Sequence, residues 1–153
     1  MQRTFLVAIV LAALAGAGSY WAVGQAGAEA IVLPHNDAAE VARGKALYQA
    51  HCASCHGADL AGEPDWRSRD AEGYLPAPPH DATSHTWHHP DAVLFEITKY
   101  GTEAVVGGGY QSRMMGFGTI LSDEEILATL GYIKSTWPRR IVEMHDEMNA
   151  ASR

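Results

Sequence analysis

Cys52-Ala-Ser-Cys55-His56 constrains this chain more than any other stretch of it. Two thiols one helical turn apart can both reach the vinyl groups along one edge of a porphyrin, which leaves the following imidazole under the iron. The motif therefore reads as a c-type haem attachment. The competing reading is a redox-active thiol pair or part of a metal site. Cys52 and Cys55 are the only 2 cysteines, so no thiol remains for a disulfide framework or a four-thiolate zinc site. A redox C-x-x-C pair belongs with cytosolic chains and βαβ patterns. Neither context is present, whereas His56 is adjacent, the N-terminus is of export type and a methionine segment follows late in the chain.

The 153 residues supply one modest domain once the ends are set aside. A formal charge of -7 argues against a nucleic-acid partner. The acidic surface either steers a basic redox partner or serves solubility alone.

Residues 1–28 read as an export signal, cleaved or retained as a membrane anchor. Arg3 precedes an apolar run from Phe5 to Val23, broken only by small residues and Ser19. Ala15-Gly16-Ala17 and Ala26-Gly27-Ala28 offer small-x-small cleavage sites. The run approaches the roughly 20 residues that span a bilayer, and Tyr20 and Trp21 suit an interface, which favours the anchor. Either way the remainder is expected outside the cytoplasm, on the periplasmic side of the inner membrane if anchored and in the soluble periplasm if cleaved.

Residues 29–36 form a linker. Asn36 or Asp37 then caps a helix to about Ala50, with Val41, Leu47 and Tyr48 at helical spacing and Gly44 in its middle. From Gly57 to His89 no period is sustained, and a loop of that length needs a surface to lie on. Pro90 and Asp91 start a short helix with a Val93, Leu94 and Ile97 stripe and Gly101 past its end. A glycine-rich loop, Gly107 to Gly109, leads to Arg113-Met114-Met115-Gly116-Phe117-Gly118. Ser122 and Glu125 form a capping box for a helix ending near Trp137 at Pro138, with Ile126, Leu127, Leu130 and Ile133 buried. Residues 139–153 either extend as a polar helix or fray.

This order resembles the class I cytochrome c family over residues 37–138. The likeness rests on Gly44 and Tyr48, on Cys52, Cys55 and His56, on Met114 to Gly118, and on Leu121-Ser122-Asp123-Glu124-Glu125-Ile126 leading to Tyr132-Ile133. It implies a small all-α domain wrapped around one covalently bound haem c, with the first and last helices crossing near Gly44 and Tyr132. It also implies electron transfer through an exposed haem edge. Cys52 and Cys55 then stand as thioether anchors, His56 as proximal ligand and Met114 as distal ligand. Family members often show Met-Pro-Ala-Phe-Gly where this chain has Met114-Met115-Gly116-Phe117-Gly118, so Met115 competes for the iron. The resemblance also suggests that Pro76-Ala77-Pro78-Pro79 holds a carbonyl acceptor for the proximal imidazole.

Thioether opposite imidazole favours ferrous iron and leaves no open site for a substrate, which points to a carrier and not a catalyst. Three functions are consistent with this. The first is an exported mono-haem carrier of single electrons between redox proteins. The second is a haem subunit of a larger oxidoreductase, and the third is a haem enzyme or sensor with displaceable methionine. His80, His85, His88 and His89 crowd beside Trp87. They read more readily as a solvated or haem-facing loop with Trp66 and Arg67 than as an auxiliary copper or zinc site, because the spacing matches no compact ligand motif.

Overall fold

Capping residues and close glycine contacts set the helix ends and crossings. A computed structural model describes residues 30–83 and 85–152. The expected signal or anchor over 1–28 and both cleavage sites lie outside the described residues. Among the described residues no helix is long and apolar enough to cross a membrane.

Helix α1 (Ala38–His51) begins where the Asp37 carboxylate accepts from the N–H groups of Ala39 and Glu40, at 2.9 and 3.2 Å. That cap satisfies two orphan donors of the first turn. The chain breaks at Cys52 and resumes as α2 (Ala53–His56), a single turn ending at Gly57 with φ of 79°, a conformation open to glycine without steric cost. Within the expected loop, a 3₁₀ turn (Thr86–His88) is the only regular element among the described residues.

Helix α3 (Asp91–Tyr100) buries Leu94, Phe95 and Thr98 and leaves Val93 and Ile97 half-buried, so its inner face is rotated from the expected stripe. Gly101 ends it, and a short α4 (Thr102–Val106), not anticipated from the pattern, follows. Helix α5 (Asp123–Ser135) carries the capping box in full. Ser122 Oγ accepts from the Glu125 N–H at 3.3 Å, and the Glu125 carboxylate accepts from the Ser122 N–H at 3.0 Å. Trp137 is buried just beyond its end.

The principal helix packing is α1 on α5. A Cβ on Gly44 would lie 1.9 Å from the Ala128 carbonyl oxygen and 3.0 Å from Tyr132 Cβ, so only glycine permits this approach. The crossing near Gly44 and Tyr132 is thus present as expected. Around it Leu33, Tyr48, Phe95, Phe117, Ile126 and Trp137 contribute to one apolar cluster. The described residues contain no β-strand, and their one isolated bridge joins Gly101 to Met115.

Residues 139–151 take the helical of the two forms expected for the tail, as α6 (Arg139–Ala151). Its Ile141 and Val142 pack against the apolar cluster, and polar groups hold the rest: Asn149 Oδ1 accepts from the Asp91 N–H (2.7 Å) and its amide donates to Asp91 Oδ1 (3.1 Å). Asp91 Oδ2 accepts from the Leu33 N–H (3.2 Å), and buried Lys134 pairs with Asp146 at 2.6 Å and approaches Asp91 at 3.8 Å. His145 Nε2 donates to the His89 carbonyl at 2.9 Å.

Candidate functional site

The turn α2 places Cys52, Cys55 and His56 together directly after α1. Cys52 is half-buried, Cys55 is exposed, and both thiols are free. Burial, and then the neighbouring Cys55, push the Cys52 thiol up to about 11. At neutral pH it is therefore a thiol and not the thiolate that redox exchange requires.

His56 is 7% exposed, and its Nδ1 donates to the Pro78 carbonyl at 2.8 Å. The acceptor lies in the proline stretch singled out from the sequence. With Nδ1 committed, Nε2 is the nitrogen left for a metal. Burial lowers the imidazole's affinity for a proton, opposed by the Pro78 bond and by Glu63. His56 is accordingly held in the neutral form that ligates.

The ring of His80 stacks on that of His56, with centroids 4.0 Å apart and planes at 24°. His80 is pinned at three points. Its N–H donates to the Leu60 carbonyl (2.7 Å), its carbonyl accepts from Trp137 Nε1 (2.8 Å), and its Nδ1 meets the Thr86 hydroxyl (2.9 Å). Burial pushes its pKa well below the usual range, helped by His56 and His85. The sequence placed His80 in a histidine cluster; the structure makes it the wall behind His56.

Met114 and Met115 diverge. Met114 is half-buried and packs on the apolar cluster that Cys52 also touches, whereas Met115 is 57% exposed. The segment is pinned to the end of α3 by its backbone, through Phe117 N–H to Thr98 O and Gly118 N–H to Lys99 O, both 2.9 Å. A Cβ on Gly116 would lie 2.6 Å from the Tyr100 carbonyl carbon, and one on Gly101 2.8 Å from the Gly116 nitrogen. Only glycines allow the two backbones to meet here. Arg113 fastens the other side, donating to Asp70 at 2.5 Å and Glu72 at 2.6 Å with its guanidinium over the Tyr74 ring. Sequence reasoning missed this clasp, because Arg113 and Asp70 lie 43 residues apart.

Paired thiols, a neutral imidazole oriented by a carbonyl and an inward thioether against one apolar cluster fit a covalently held haem, and they define the class: a small helical c-type haem domain. The model of the family described as Cytochrome c matches residues 41–137, and the chain belongs to the cytochrome c family. It carries one covalently attached haem c, with Cys52 and Cys55 in the C-x-x-C-H position of attachment. The fold is similar to the crystal structure of cytochrome CL from the marine methylotrophic bacterium Methylophaga aminisulfidivorans MPT. That likeness has a TM-score of 0.50 and 24% identity and covers 77% of this chain and 69% of that one. No curated protein sequence matches the chain. Family and fold together make this a haem electron-transfer protein.

Proposed function

We propose that the protein is an exported mono-haem cytochrome that carries single electrons between redox proteins, its iron held by His56 Nε2 and Met114 Sδ. The observation that carries the reading is the His56 Nδ1 bond to the Pro78 carbonyl, joined by the inward turn of Met114 beside the outward turn of Met115. The haem supplies an iron that alternates between ferrous and ferric states and a conjugated edge through which an electron leaves. This chain's residues do the rest. Pro78 and the stacked His80 fix the tautomer and plane of His56, and α3, Gly116 and Arg113 hold Met114 in place. Held by His56 and Met114, the iron would have no position open to a substrate and would change its surroundings little on gaining or losing an electron, in keeping with transfer and not catalysis. Export rests on the Arg3 and Phe5 to Val23 segment. It places the domain on the periplasmic side of the inner membrane if residues 1–28 remain as an anchor, and in the soluble periplasm if they are removed. The partners in this reading are other redox proteins, not nucleic acid.

Ferric protein should show the weak far-red sulfur-to-iron absorption band. Met114→Ala should abolish it and Met115→Ala retain it; the reverse pattern transfers the ligand role to Met115. Ferrous protein that binds carbon monoxide readily would argue for a displaceable methionine and against a carrier.

A further inference from the structure

Of the four histidines crowded into residues 80–89, His80 backs His56, and His88 stacks on Trp87 with centroids 3.8 Å apart. His85 and His89 instead face one another, with Nε2 atoms 3.2 Å apart and ring planes at 87°. Two imidazole nitrogens bound to one ion at about 2.0–2.1 Å lie about 2.9 Å apart at a right-angled N–metal–N and about 3.3 Å apart at a tetrahedral one. The observed spacing falls between these limits.

We propose that His85 and His89 form a two-imidazole chelate for a borderline divalent cation, Cu²⁺ or Zn²⁺, separate from the haem iron. Imidazole suits both ions. The 3₁₀ turn pre-forms the pair, because the His88 N–H donates to the His85 carbonyl at 3.0 Å and the His89 N–H to the Thr86 carbonyl at 3.1 Å. From α6, His145 Nε2 holds the His89 carbonyl at 2.9 Å. Burial and neighbouring histidines lower both imidazoles' proton affinity, which favours the neutral, ligating form. No group of three or more His, Cys, Asp or Glu side chains converges among the described residues. Two ligands therefore come from the described residues, and water or a donor on a partner completes the coordination.

The test is titration of the haem-loaded ferric protein with Cu²⁺, followed by calorimetry and by the copper EPR signal. One equivalent should bind with two-nitrogen hyperfine structure. His85→Ala and His89→Ala should each weaken binding about a hundredfold, because each removes the chelate. His88→Ala should change nothing, and the haem spectrum should be the same in every variant. Equal copper affinity in the wild type and the double His85→Ala, His89→Ala variant would overturn the proposal. So would a wild type that binds no copper, which would leave the pair as an Nε2–H···Nε2 hydrogen bond alone.

Discussion

His80 shows how much a single side chain adds to the setting of His56, the proposed iron ligand. A leucine there would fill similar volume but could not stack on His56 or meet the Thr86 hydroxyl, 4.0 Å and 2.9 Å contacts respectively. Its backbone bonds to Leu60 and Trp137 would survive, and so would the His56 bond to Pro78. His80→Leu is therefore expected to fold and bind haem, yet to free rotation of the His56 plane. A changed spread of haem-methyl NMR shifts, or of ferric EPR g-values, measures this, while His80→Phe, which keeps a flat ring, should restore much of the wild-type pattern. Identical spectra for His80→Leu and the wild type would reduce His80 to filler. Cys52, Cys55 and His56 were legible because their chemistry depends on adjacency in the chain. His80 was not, because an imidazole in an aperiodic loop carries no sign of whether it faces water or a ring 24 residues back.

At the level of elements, the α1 and α5 crossing leaves no room at Gly44, where an added Cβ would meet the Ala128 carbonyl oxygen at 1.9 Å. Backbone cannot rotate aside as a side chain can, so Gly44→Ala should force the helices apart and cost about 1–3 kcal/mol. A lower denaturant midpoint checks it, and an unchanged midpoint would refute the packing account. The glycine's position was visible in the sequence, but its purpose came only from the resemblance and then from the crossing itself. The Arg113 clasp makes a second prediction. Hydrogen bonding from Arg113 holds the Asp70 carboxyl below its usual range, followed by the Tyr74 N–H. A carboxylate depressed in this way stabilises the fold above its ordinary pKa, and that contribution disappears as pH falls through the depressed value. Relative to the wild type, Arg113→Ala should loosen the Met114 segment at neutral pH, seen as a weaker far-red band on mild warming. That difference should close on acidification below the usual carboxylate range. A gap that persists at low pH would show that Arg113 acts through its stacking on Tyr74 (4.4 Å) and not through charge.

Across the whole molecule, Asp91 joins four parts of the chain: the Leu33 segment, the start of α3, Lys134 on α5 and Asn149 on α6. The sequence left α6 undecided between helix and fraying for a physical reason. Its inner face sets half-buried Ile141 and Val142 against the apolar cluster, but its two fully buried positions are the polar His145 and Asn149, which interrupt the apolar stripe that would mark a helix. Asp91 and Lys134 are 2% and 1% exposed, so removing the acid leaves the buried ammonium with the half-exposed Asp146 alone and leaves the Leu33 N–H without its acceptor. Asp91→Ala is expected to cost about 3 kcal/mol, the low end for a broken buried pair because Asp146 still holds the ammonium. Asp91→Asn keeps an oxygen for the Leu33 N–H, so it should cost less, about 1–2 kcal/mol for imperfectly satisfied groups. Guanidinium unfolding of the haem-loaded proteins distinguishes the two, with the haem spectrum at zero denaturant confirming an intact iron site. If Asp91→Asn proves as damaging as Asp91→Ala, negative charge beside Lys134 holds α6 in place. If it is nearly harmless, the hydrogen bonds to Leu33 and Asn149 carry the junction.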